Sequence, residues 1–260
     1  MSQQPLPPLV ARMWGRERSA RRGPQPSLDL TRIAEAAIGI ADAEGLAGVS
    51  MSRVAAELGV ATMSLYRYVD GKDELLAVMV DAAVDEPPQL DGRDWRAYLT
   101  AWTRANRDAL LTRPWMLPIA HLAPPLGPRS LRWLDRALAA LESTPLTEAE
   151  KVNAATTLNG YAFFQASLIA GLSLGVSQGQ GGLTSMQDYG TVLAELCDTM
   201  RYPALAQAID SGVFRAGDEW VDDADFLFGL NVLLDGISVL VARRAVQQEP
   251  NDAPARDDVP

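Results

Sequence analysis

The sequence predicts an all-α protein, and three observations carry that expectation. From Leu28 onward, apolar residues recur at helical spacing with few interruptions. No stretch alternates apolar and polar residues for long enough to build a sheet, and no internal repeat is visible. Glycine and proline instead fall where helices would stop: Gly45, Gly59, Gly71, EPPQLDG (86–92), PPLGP (124–128) and GVSQGQGG (175–182).

Taken in order, residues 1–26 mix Pro, Gly, Gln and Arg without a period and read as a flexible basic arm. Ile33, Ala37, Ile38, Ile40 and Ala41 then form one apolar stripe on a helix starting near Leu28 and closed by Gly45. Ser50 is placed to cap a second helix, Met51–Leu58, whose inward set is Met51, Val54, Ala55 and Leu58; Gly59 ends it. A third, short helix is expected over Ala61–Val69. Asp70-Gly71 then turns the chain into a fourth, Lys72 to Val84, with Asp70 as its cap. EPPQLDG separates a domain over 27–85 from a second over 93–246.

The second domain reads as helices over Trp95–Thr112, a short segment Trp115–Ala123, and Arg129–Glu142. Thr147-Glu148-Ala149-Glu150 fits a capping box that opens a long helix to Gly175. Met186–Met200, Pro203–Ser211 and Asp222–Ala245 follow, and 247–260 reads as a disordered tail.

Composition narrows the classes. No apolar run approaches the ~18–20 residues that span a bilayer, and MSQQPLPPLVARMWGRERSARRG lacks the apolar core of a signal peptide. Cys197 is the single cysteine, which rules out an intramolecular disulfide and favours a reducing cytoplasm, with no membrane partner. Net charge is −10, but it is unevenly spread. Residues 1–75 balance nine Lys/Arg against nine Asp/Glu, leaving the whole excess to 76–260. Residues 1–26 hold five arginines against Glu17, so a phosphate-binding surface is possible at this end of an acidic chain.

Three short helices within about 40 residues, the last two joined by a tight glycine turn, describe a helix-turn-helix unit. Val60 and Leu65 are spaced to pin the third helix. That leaves Thr62, Met63, Ser64, Tyr66, Arg67 and Tyr68 toward solvent, where the first residues of such a helix can enter a major groove. Thr62 and Ser64 can hydrogen-bond base edges or phosphates, Met63 can touch a thymine methyl, and Arg67 can grip a guanine edge. Tyr66, Tyr68 and Lys72 suit the backbone, and the helix starting at Lys72 adds free N–H groups for an anion. Ser50 and Arg53, at the start of the second helix, complete the candidate DNA-binding set. The same pattern also occurs as plain packing in helical bundles, but two outward aromatics flanking an arginine favour a partner.

The text VSMSRVAAELGVATMSLYRYVDGKDELLAVMVD (49–81) resembles the N-terminal domain of the tetracycline-repressor (TetR/AcrR) family, through Ala55, Leu58-Gly59-Val60, Leu65-Tyr66, Lys72 and Leu75-Leu76. RPW…PPLGP (113–128) and FLFGLNVLLDGISVLV (226–241) are similar to the effector domain of the tetracycline repressors. The resemblance implies a homodimeric repressor of palindromic operators, released when a small molecule binds the C-terminal domain. It also implies a dimer built by the helices near 151–175 and 222–245 as a four-helix bundle. Tyr68 stands where relatives often have histidine, and Met63 where glycine or proline is frequent, which alters which operator is read.

A ligand site should be concave and mostly apolar with a few placed polar groups. Trp102, Trp115, Met116, Trp133, Tyr161, Phe163, Phe164 and Met186 supply the aromatic and methionine candidates, with Asn159 and Gln165 to orient a ligand. Large aromatics also dominate ordinary helical cores, so each has a structural reading beside the functional one. His121, the one histidine, joins the candidates, yet it lacks acidic partners at metal-ligand spacing, and no metal or cofactor is expected. There is no phosphate loop or nucleophile elbow, and Asp222, Asp223 and Asp225 sit where a helix dipole favours acids, so an enzyme is not expected. A helix-turn-helix architectural module without an effector is the other alternative.

Overall fold

The computed structural model describes residues 5–16, 28–90, 92, 94–120, 125–178, 186–214 and 223–248. These form eleven α-helices and two short 3-10 turns, with no strand among the described residues. The helices are α1 (Pro8–Met13), α2 (Leu30–Glu44), α3 (Met51–Glu57), α4 (Thr62–Leu65), α5 (Lys72–Ala83), α6 (Trp95–Thr112), α7 (Pro128–Ala140), α8 (Glu148–Gln178), α9 (Met186–Leu196), α10 (Pro203–Asp210) and α11 (Asp223–Gln248).

Helices α2–α5 close around one core. Asp29 Oδ1 accepts the Arg32 N–H at 2.9 Å to start α2, which buries Ile33, Ala34, Ala37, Ile40 and Ala41. The helix stops at Gly45, whose φ of 72° is the left-handed value that glycine adopts without a Cβ clash. Val54 and Ala55 of α3, Leu65 of α4, Val69, and Leu75, Val78 and Met79 of α5 fill the same core. Trp115 and Met116 join them from the 3-10 turn that follows α6.

A second core collects Tyr98, Leu99 and Trp102 of α6, Trp133, Ala137 and Ala140 of α7, Ala154, Ala155 and Leu158 of α8, and Phe226, Leu230 and Leu234 of α11. The capping box at α8 is present: Glu150 N–H donates to Thr147 Oγ1 at 3.3 Å, and Thr147 N–H donates back to Glu150 Oε2 at 2.9 Å. Arg244 of α11 grips the same carboxylate at 2.6 Å, tying α11 to the start of α8. Arg244, backed by the Thr147 N–H, holds the Glu150 carboxyl down at about 2.

The two cores are joined by polar contacts. Asp81 near the end of α5 is buried, and its Oδ1 accepts both the N–H and the hydroxyl of Ser130 at 2.8 Å in the first turn of α7. Arg129 answers in the other direction, donating to the Ala82 carbonyl at the end of α5 at 2.9 Å. Each helix therefore caps the other, acid to N-terminus and base to C-terminus, the pairing that helix dipoles favour. Gly127 is required at this joint because a Cβ there would overlap the Asp81 side chain. Trp133 Nε1 donates to the Asp85 carbonyl at 2.7 Å, and Arg113 to the Ala83 carbonyl at 3.1 Å.

Several elements differ from the sequence reading. Within the expected arm, Pro8–Met13 is helical because Leu9 and Met13 find the first core; residues 17–26 lie outside the described residues. The third helix is only Thr62–Leu65: from there the Tyr68 N–H bonds the Leu65 carbonyl at 2.8 Å, and the chain continues as turns. Gly71, not Asp70, is the N-cap of α5, and Glu74 reaches back to accept the Asp70 N–H at 2.7 Å. Helix α8 runs past Gly175 to Gln178, and Trp115–Ala123 contains only the turn Pro114–Met116 within its described part. Of the tail, 249–260 lies outside the described residues, while 247–248 finish α11. Helix α11 is also long and apolar enough to cross a membrane by length and mean hydropathy (1.7), though the sequence shows no such uninterrupted run, and only 17% of that window is buried.

Candidate DNA-reading surface and effector domain

The reading surface follows from how α4 is pinned. Gly59, with φ 66°, turns the chain after α3, and the Val60 N–H returns to the Ala55 carbonyl at 3.0 Å. Leu65 and Val69 are fully buried beneath α4. That leaves Met63 as the most prominent side chain, 74% exposed, with Tyr66 and Arg67 exposed beside it. Thr62 and Ser64 are half-buried at the edge of the same face. Tyr68 is half-buried against the core, so it presents an edge rather than a whole ring.

The flanking candidates are less free. Ser50 Oγ is engaged as the cap of α3, accepting the Arg53 N–H at 3.2 Å. Arg53 is held between Glu57 and Glu44, both at 2.9 Å, so phosphate binding there must displace two carboxylates. Lys72 is exposed at the start of α5. The first turn of α5 already carries Asp73 and Glu74, so the expected anion site is partly answered by the chain's own acids.

The ligand candidates do not converge. Trp102 and Trp133 meet in the second core with rings 6.0 Å apart, and Trp102 Nε1 donates to the Trp133 carbonyl at 3.0 Å. Trp115 and Met116 belong to the reading head's core, where Trp115 Nε1 donates to Asp42 Oδ1 at 2.6 Å. Trp115 lines a cleft of about 330 Å³ between α2 and the end of α6, with Asp42 and Arg113, rather than a chamber in the effector domain. On α8, Asn159 and Phe164 are exposed, while Phe163 and Gln165 are half-buried. His121 and the side chain of Met186 lie outside the described residues.

Sequence reasoning missed a polar group inside the second domain. Arg107 is buried, stacks 4.0 Å over the Phe226 ring, and donates to Asp223 Oδ1 at 2.9 Å. Tyr161 also stacks on Phe226, with ring centroids 5.5 Å apart, donates its hydroxyl to the Phe226 carbonyl at 2.8 Å, and accepts from Gln165 at 3.0 Å. Burial pushes the Tyr161 hydroxyl up, whereas the Arg107 hydrogen bond holds Asp223 below the usual carboxylate range. The signal was available: Arg107 falls on the stripe of Leu99 and Thr103, four residues apart each time, so an arginine had to be buried there.

Residues 33–79 match the family model described as bacterial regulatory proteins, tetR family, and residues 87–241 match the tetracyclin repressor-like C-terminal domain. The chain belongs to the TetR family. It is 38% identical over 245 residues to the HTH-type transcriptional repressor DrrR1 of Streptomyces coeruleorubidus, covering 92% of this chain and 87% of that protein. Among solved structures it resembles Streptomyces coelicolor ActR in complex with (S)-DNPA, with a TM-score of 0.66 and 25% identity over 82% of this chain and 98% of the other. ActR in complex with actinorhodin superposes similarly, with a TM-score of 0.65 and 25% identity over 82% and 97%. This TetR-family protein is thus a DNA-binding transcriptional regulator rather than an enzyme.

Proposed function

We propose that the protein is a homodimer whose two α4 surfaces read a palindromic operator about one DNA turn apart. A small hydrophobic or amphipathic molecule held in the C-terminal domain would release it. One observation carries the dimer. Helix α11 has an apolar sequence, yet Phe228 (74% exposed), Val232 and Val239 face outward, and Val152, Phe164 and Leu168 do so on α8. A greasy face of that length needs a cover. A second copy supplies it, in keeping with a family whose regulators act as dimers on operator DNA. Asp225 and Asp235 on α11 argue against lipid as the cover, which fits a cytoplasmic regulator without a membrane partner.

In this reading Met63, Thr62, Ser64 and Arg67 decide operator identity, while Tyr66, Tyr68 and Lys72 hold the DNA backbone, with Ser50 and Arg53 at the margin. Arg107, Tyr161, Gln165 and Phe226 are the groups best placed to orient an effector, since they combine ring faces with hydrogen-bond donors. Selection of duplexes from a random pool tests the first half: a palindrome is expected, with affinity falling steeply as salt rises. A strictly monomeric protein by sedimentation, or salt-insensitive binding, would refute it. For the second half, actinorhodin is a reasonable first probe. It should raise the thermal midpoint and release DNA, whereas an architectural module would show neither response to any small molecule.

A further inference from the structure

We propose that α1 is a splint that fixes the reading head against the effector domain, with Arg12 and Trp14 as its two positioning residues. Two side chains at the C-terminal end of α1 are tied, one to each part of the molecule. The Arg12 side chain is only 12% exposed, and its guanidinium donates to Glu74 Oε2 at 3.1 Å, with Asp70 Oδ1 4.0 Å away. Glu74 lies in the first turn of α5, two residues from Lys72, and accepts the Asp70 N–H ahead of the Gly71 cap. Two residues on, just past the end of α1, Trp14 Nε1 donates to the Leu126 carbonyl at 2.8 Å. Leu126 precedes Gly127, which closes onto Asp81 at the far end of α5. Glu74 and Asp81 are two helical turns apart, roughly 10 Å along the axis.

Leu9 and Met13 pack on the head's core, so α1 is seated as well as tethered. Residues 5–16 lie outside both family matches, 33–79 and 87–241. The splint holds α5 at its DNA-facing start and at its body-facing end together. In a dimer, the tilt of α5 sets how far apart the two α4 surfaces stand. A splinted α5 admits one spacing, and a loosened α5 admits several.

The test uses the operator that the wild-type protein selects from random duplexes, remade with one central base pair added or removed. Wild type should lose about tenfold in affinity for either change, since half-site spacing is fixed by the dimer. The double variant Arg12→Gln, Trp14→Phe should lose about threefold or less, and Arg12→Lys alone should keep most of the wild-type discrimination. In parallel, amide exchange in the free double variant should rise across residues 72–83 and 125–131. A uniform affinity loss on all three duplexes with the spacing penalty intact overturns the proposal, because that is what mere destabilisation gives. So does a variant indistinguishable from wild type. The spacing argument rests on the dimeric reading. A monomeric wild type, or a selected site without symmetry, would sink that reading, while the exchange comparison would still decide whether α1 splints α5.

Discussion

The reading head and the effector domain bury their apolar residues to different degrees. In the head, Ile33, Val54, Leu65, Val69, Leu75 and Met79 are sealed, and the large apolar groups left outside are those on the reading face, Met63 and Tyr66. In the body, Leu158, Leu230 and Leu234 are sealed as completely, yet Phe164, Leu168, Phe228, Val232 and Val239 on the same two helices remain outside. A head of this kind is finished as a single chain. In the proposed dimer the body is finished only by a neighbour, so its stability would depend on protein concentration and the head's would not.

Phe228→Asp attacks that difference most directly. The side chain is exposed in the protomer, so helicity by circular dichroism should stay unchanged. A carboxylate in an apolar interface should abolish the dimer and cost about a hundredfold or more in operator affinity, seen by sedimentation velocity and anisotropy. Leu65→Ala is the converse experiment. Emptying a fully buried site under α4 should cost ~2–5 kcal/mol, lower the head's melting transition and abolish DNA binding, while the dimer persists.

Two substitutions on the reading face sharpen the division within the head. Arg67→Ala should cost ~1–3 kcal/mol on the selected operator and relax preference at one position. Lys72→Ala should weaken all duplexes alike and reduce the salt slope by about one. The smallest effect is expected at Glu150→Gln, which loosens α11 from α8. Because the folded carboxyl is held at about 2, its contribution is complete above the ordinary carboxylate value and disappears as pH falls toward about 2. The stability gap between wild type and Glu150→Gln, measured by urea melts, should therefore be present at pH 7 and close on acidification through that window. A gap that widens on acidification would show that Arg244 does not hold this carboxylate.

The helices were legible in the sequence where local signals decide them. Trp95–Thr112 was read to the residue because Arg113-Pro114 ends it, and the Thr147–Glu150 box was found from its spacing alone. What escaped depended on distant partners. Nothing local in Trp115 or Met116 says which of two cores receives it, and the answer comes from Asp42, more than seventy residues earlier. Pro8–Met13 is too short to show a helical period and passes for a loose arm until Glu74 and the head's core are in place to hold it. The short α4 is a similar case: its apolar spacing continues to Val69, but past Leu65 the helix gives way to turns in which the Tyr68 and Val69 N–H groups share the Leu65 carbonyl.

The reciprocal caps at Asp81, Ser130 and Arg129 bear on how such regulators can be recombined. A chimera cut between residues 84 and 94 would transplant Asp81 without the Ser130 hydroxyl and helix start that satisfy it. The recipient body would bring its own helix terminus, unmatched to a buried carboxylate. Exchanging operator specificity between relatives would then fail at the seam rather than at the DNA, unless residues 127–130 travelled with the head.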